Sequence, residues 1–89
     1  MDGVVKLREK RTAAELRAMV QARLNALPDV VAIKARLPLA GPIAGVVVAT
    51  GADAEGCNWD LCHLYQGAVY FEEFRDIVNE LRTLYVLAE

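Results

Sequence analysis

The chain has 89 residues, two cysteines, one histidine, one tryptophan and a formal net charge of −2, which gives room for one small core and excludes a second independent domain. A hydrophobic fraction of 55% with mean hydropathy +0.24 is high for so short a chain; its surface-to-volume ratio leaves part of that apolar area without an interior, so some of it is expected to face a partner. Serine is absent, which excludes Ser-His chemistry, and the longest uncharged run, residues 37–52, is broken by Pro38, Gly41, Pro42, Gly45 and Gly51 and falls short of the roughly 20 apolar residues a spanning helix needs.

Residues 1–11 carry Lys6, Arg8, Lys10 and Arg11 without a sustained period and read as a basic N-terminal tail ahead of a single α+β domain over residues 12–89. Thr12-Ala13-Ala14-Glu15 is a capping box, in which the threonine oxygen takes the N–H three residues on and the glutamate reaches back to the threonine N–H. Leu16, Met19, Val20, Leu24 and Leu27 follow at helical spacing, and Pro28 is expected to close the helix. Residues 30–37 then alternate, with Val31, Ile33, Ala35 and Leu37 on one face and Lys34 and Arg36 on the other, the pattern of a half-buried strand. Leu39-Ala40-Gly41-Pro42 supplies turn chemistry, and the nearly continuous apolar stretch 43–50 reads as a central strand. Residues 51–56 form an acidic loop by composition, residues 58–65 a third strand. From residue 69 or 70 the helical period returns through Phe74, Ile77, Val78, Leu81, Leu84 and Tyr85, with Glu72 and Glu73 suited to the first turn.

The expected architecture is therefore α-β-β-β-α, a three-stranded antiparallel sheet with two helices packed on one face. The opposite face would display Lys34, Arg36, Asn58 and Asp60, a candidate partner surface with cross-strand charge pairs.

Chemistry concentrates in residues 56–65, Gly-Cys-Asn-Trp-Asp-Leu-Cys-His-Leu-Tyr. As a strand this segment puts Trp59, Leu61, His63 and Tyr65 on the core face and Asn58, Asp60, Cys62 and Leu64 on the other. Cys57 and Cys62 would lie roughly 16 Å apart on opposite faces at about 3.3 Å per residue, too far for a shared metal or a disulfide. Two buried thiols and a hydrogen-bonded histidine are the expectation, with no catalytic residue, no cofactor and no metal. Glu72, Asp76 and Glu80 form an i, i+4 row that reads as a solvated acidic face, and no glycine spacing matches a phosphate loop.

Charge is uneven along the chain. Residues 1–36 hold eight basic against four acidic residues, a balance of +4, and residues 37–89 hold two against eight, a balance of −6. Pairing of the basic part with the acidic part, within one chain or across a dimer, is favoured over a nucleic-acid arm, since the total is acidic.

Helix, three strands and helix, with Gly41-Pro42 in the first strand-strand loop, resembles the element order of the double-stranded RNA-binding domain. That family follows its Gly-Pro with a histidine and opens its last helix with lysines; here the residues are Ile43-Ala44 and Tyr70-Phe71-Glu72-Glu73, so no binding residue is carried over. The chain is also similar to small uncharacterised bacterial proteins with a capped first helix (Thr12 to Leu16), an Asn58-Trp59-Asp60 strand and a Leu81-Arg82-Thr83-Leu84-Tyr85 ending. This likeness covers most of residues 7–87 and implies a shared fold without an activity.

The expected function is that of a small cytoplasmic, non-catalytic interaction or self-association module, a homodimer or a partner of another protein, with no membrane segment and no secretory signal. Nucleic-acid (RNA) binding through residues 6–11 is the alternative, and a cysteine-based redox or metal site ranks third.

Overall fold

Thr12 starts the first helix as its sequence requires. In the computed structural model, which describes residues 8–54 and 56–88, Thr12 Oγ1 accepts the Glu15 N–H at 3.1 Å and Glu15 Oε1 accepts the Thr12 N–H at 2.8 Å. Helix α1 (Ala13–Asn25) buries Leu16, Val20 and Leu24 completely, with Met19 and Leu27 against the margin of the core.

Pro28 begins a helix rather than closing one. Residues 30–36, most of the strand expected over 30–37, lie in helix α2 (Pro28–Arg36). Proline at the first helical position lacks only an N–H that has no intrahelical partner there, and its fixed φ suits the first turn. Asp29 in that turn, and Lys34 and Arg36 in the last, complement the helix dipole. These local terms win over the period-two pattern, whose residues are then distributed around the helix. Of its side chains α2 fully buries Val30 alone.

With residues 30–36 helical, the expected three-stranded sheet is replaced by a two-stranded antiparallel ribbon. Strand β2 (Ile43–Ala44) pairs with β5 (Leu64–Tyr65), and β3 (Val48–Ala49) with β4 (Trp59–Asp60). Both halves share one register, and Gly45 N–H to His63 O and Thr50 N–H to Asn58 O, each 2.8 Å, extend it without an inserted residue. Gly45 is required where the strands close: a Cβ there would sit 2.7 Å from His63 Cβ and 2.8 Å from its carbonyl oxygen. The inward parity changes around this glycine. Ala44 is buried opposite the partly buried Leu64, whereas beyond the switch Val47 and Leu61 turn inward together.

Helices α1 and α3 (Phe71–Leu84) flank the ribbon and cap its edges. From α1, Gln21 accepts the Ala44 N–H at 2.8 Å and donates to Pro42 O at 2.9 Å, and Arg17 Nε donates to Ala44 O and Gly45 O at 3.1 Å. From α3, Arg75 donates to Leu61 O at 2.9 Å and Arg82 to Trp59 O at 2.8 Å. Four side chains thus engage outward-facing strand groups that would otherwise invite another strand. One ion pair, Arg23 with Glu80 at 2.8 Å, ties the basic first helix to the acidic last one.

A single 3-10 turn (Ala68–Tyr70) leads into α3, which buries Phe74, Ile77, Val78 and Leu81 on one stripe. Tyr85, expected on that stripe, is instead the first residue of β6 (Tyr85–Leu87), which runs parallel to β1 (Glu9–Arg11) with Glu9 opposite Tyr85. Residues 9–11 of the expected tail are therefore ordered by pairing, while residues 1–7 lie outside the described residues. Trp59, at 0% exposure the largest buried side chain, donates its Nε1–H to Tyr85 O at 3.0 Å, so the core is anchored to β6 by a satisfied indole. Among the described residues no helix is long and apolar enough to cross a membrane.

Candidate functional site

The segment 56–65 does not gather its reactive groups. Cys57 is buried beside Trp59, its thiol 3.6 Å from Trp59 O. Cys62, expected to be buried, is exposed, since it follows the inward-facing Leu61 in an alternating strand and points to the other side. His63, expected on the core face, is exposed as well, with its ring stacked against Tyr65 at 6.5 Å between centroids. Among the described residues no cluster of three or more His, Cys, Asp or Glu side chains could hold a metal ion.

Asp60 organises the polar side of this segment. Its carboxylate accepts the Leu61 N–H at 2.8 Å, the Cys62 thiol at 3.3 Å and the Arg75 guanidinium at 3.2 Å. Burial pushes its pKa up, but these three donors together outweigh that and hold it below the ordinary aspartate value. The effect on Cys62 is the reverse: its hydrogen bond to Asp60, then desolvation and the carboxylate charge, push the thiol pKa up. Cys62 is thus exposed yet kept protonated, the opposite of the electropositive setting that activates a thiol.

A cleft of about 240 Å³ lies beside Cys57, lined by Arg8, Asp53, Asn79, Arg82 and Thr83. Its charges serve the fold. Arg82 bridges Asp53 at 2.9 Å while donating to Trp59 O, Asp53 also accepts the Cys57 N–H at 3.0 Å, and Arg8 donates to Thr83 O at 3.1 Å.

The candidate partner surface is not assembled as the sequence suggested, because it rested on a strand over residues 30–37. Lys34 and Arg36 sit on α2, where Lys34 Nζ donates to Pro38 O at 3.3 Å and its stem covers Gly41. Asn58 and Asp60 spend their side chains within the fold, Asn58 on the backbone of Leu87 and Asp60 as described. Glu72, Asp76 and Glu80 are exposed, and Glu80 pairs with Arg23. In the basic segment, Arg11 pairs with Glu9 at 2.7 Å and lies 5.0 Å over the Tyr85 ring, and Lys6 falls outside the described residues.

The sequence reading missed a different surface. Ile33 on α2 and Leu37, the residue that caps its end, line with Arg36 a depression of about 270 Å³; Leu39 just beyond is 92% exposed. Pro42 packs on Gly67 so closely that a Cβ at 67 would lie 2.5 Å from Pro42 Cβ, joining the end of the α2 connection to the start of the 3-10 turn. After Gly67 in the chain, Val69 is 82% exposed and Phe71 nearly half exposed, followed by Glu72 and Glu73. The cross-strand pair Ile43 and Tyr65 is exposed as well. Pro28 was the signal that would have exposed this face, by marking residues 28–36 as a helix too sparsely buried to use its own apolar side chains.

No family model matches the chain, and neither the curated proteins nor the solved structures contain a match to it.

Proposed function

We propose that this protein is a non-catalytic interaction module that works by self-association through the apolar surface formed by α2, its following loop and the start of α3. The observation that carries this reading is the state of α2. A nine-residue helix is too short to be stable by itself and draws its stability from packing, yet this one fully buries only Val30 while Val31, Ile33 and Leu37 remain in solvent. Exposed apolar residues of this kind, to which Leu39, Val69 and Phe71 add, are what an interface covers. The protonated Cys62 and the structurally engaged Asp60, Arg75 and Arg82 support a non-catalytic role for the polar side of the molecule.

The test is the absolute mass of the purified protein in reducing buffer, by light scattering on a sizing column, with absorbance at 260 and 280 nm on the same peak. A dimer mass with protein-like absorbance is the expected result. A monomer at every concentration reached would overturn self-association, and excess absorbance at 260 nm would shift the reading to nucleic-acid binding.

A further inference from the structure

We infer that α2 packs antiparallel on the α2 of a second copy of the chain, about a two-fold axis at Ile33, so that Asp29 of each protomer faces Arg36 of the other. The inference rests on the self-association reading above and deepens it by naming the helix at the axis and the charges that orient it.

The helix itself fixes the geometry. Val30 and Lys34 turn toward their own chain, each within 3.5 Å of where a Cβ on Gly41 would stand. At 3.6 residues per turn, Asp29, Ile33 and Arg36 share another side of α2, within a sector of about 60°. All three are exposed, and Ile33 and Arg36 line the depression at the end of the helix together with Leu37. One helix face therefore carries, in order, a carboxylate, an apolar side chain and a guanidinium, its charges about 10 Å apart along the axis. Among the described residues neither Asp29 nor Arg36 forms an ion pair, so the fold leaves both charges over. Such a face is complementary to itself in one orientation. Half a turn about Ile33 lays Ile33 on Ile33 and brings Asp29 to Arg36 at both ends, whereas a parallel pair would set Asp29 beside Asp29 and Arg36 beside Arg36. The antiparallel contact is isologous and closes at two copies. Covering Ile33 and Leu37 gives this short helix the packing that it lacks in the single chain.

The experiment swaps the two charges. Asp29→Arg alone and Arg36→Glu alone each place like charges at both ends of their own dimer, while an equimolar mixture of the two variants restores opposite charges at both ends. Mixing leaves the helix of each chain unchanged, so a dimer regained in the mixture comes from contact between chains and not from an altered α2. Masses are measured at one protein concentration for the wild type, each variant and the mixture, with circular dichroism confirming that each variant is folded. The expected result is a dimeric wild type, each variant weakened by about tenfold or more in self-association, and a mixture that returns to the dimer mass. A monomeric wild type would overturn the self-association reading and this one with it. A dimeric wild type whose variants remain equally dimeric would overturn only the α2 pairing, as would a mixture that stays monomeric. A mixture growing beyond two copies would overturn the two-fold closure. Should a variant fail to fold, the wild-type dimer supplies a second measurement: its dissociation constant rises with salt if Asp29 and Arg36 pair across the axis, and salt independence would overturn the pairing.

Discussion

Asn58 and Leu87 are joined through both ends of one amide. Asn58 Nδ2 donates to Leu87 O at 3.0 Å and Asn58 Oδ1 accepts the Leu87 N–H at 2.8 Å, so the side chain acts as a short piece of strand along β6. Asn58→Asp keeps the shape but turns a donor into an oxygen facing a carbonyl, and Asn58→Leu leaves both backbone groups without that partner. Each substitution is expected to cost about 1–3 kcal/mol, read as a lower urea midpoint with an unchanged m-value. A midpoint equal to wild type for both would show that water replaces the amide at no cost.

Leu39 makes the complementary case. It is 92% exposed, so Leu39→Lys is expected to leave monomer stability within about 0.5 kcal/mol of wild type while weakening self-association. A large fall in the urea midpoint at a concentration where the wild type is monomeric would mean that Leu39 packs within its own chain.

The exposed thiol of Cys62 is held protonated by Asp60. In wild type its alkylation by iodoacetamide at mildly alkaline pH is expected to be slower than that of a free cysteine peptide, since the thiolate is the reacting species. Asp60→Asn removes the negative charge and should speed the reaction, with mass mapping used to separate Cys62 from the buried Cys57. Equal rates before and after that substitution would remove Asp60 as the cause.

The helices were legible in the sequence wherever a buried stripe ran at helical spacing. Thr12 with Glu15 and the run from Leu16 to Leu24 gave the first helix, and Phe74, Ile77, Val78 and Leu81 gave the last. The failure at residues 30–37 has one physical source: alternation is a weaker statement when the segment buries little. An amphipathic helix announces itself by its buried stripe, and α2 fully buries only Val30, so its exposed Val31, Ile33 and Leu37 imitated a strand. Long-range effects explain the rest. The parallel pairing of Glu9 with Tyr85 joins residues far apart in the chain, and the turn-out of His63 comes where Gly45 closely approaches its partner strand. The unassembled surface of Lys34, Arg36, Asn58 and Asp60 followed from the first error, since a sheet face cannot be shared with a helix.

Asp60 also predicts a pH dependence. Its folded pKa lies below the ordinary value of 3.8, so it contributes stability at pH values above that figure, and the contribution is lost as pH falls through the depressed folded value. The neighbouring groups set the sign: the Leu61 N–H, the Cys62 thiol and Arg75 all favour the carboxylate, against the opposing effect of burial. Glu15, held down by its hydrogen bonds to Thr12, acts in the same direction. The urea midpoint should therefore fall on acidification, and the fall should be shallower in Asp60→Asn than in wild type. Parallel curves for the two proteins would show that Asp60 titrates alike in the folded and unfolded chain.

Two glycines separate packing from backbone effects. At Gly45 a methyl group would meet His63 Cβ at 2.7 Å and the His63 carbonyl oxygen at 2.8 Å, while at Gly51 nothing lies within 4 Å of the same position. The obstacle at Gly45 includes backbone, so the strands must part or the ribbon must shift. Gly45→Ala is expected to destabilise by about 1–3 kcal/mol. Gly51→Ala meets no such contact and carries no positive φ. The lower entropy of its unfolded chain should leave it neutral or up to about 1 kcal/mol more stable. The same closeness at Gly45 accompanies the parity change at which its cross-strand neighbour His63 turns to solvent. Equal urea midpoints for the two variants would place the strand closure under some control other than the missing side chain at Gly45.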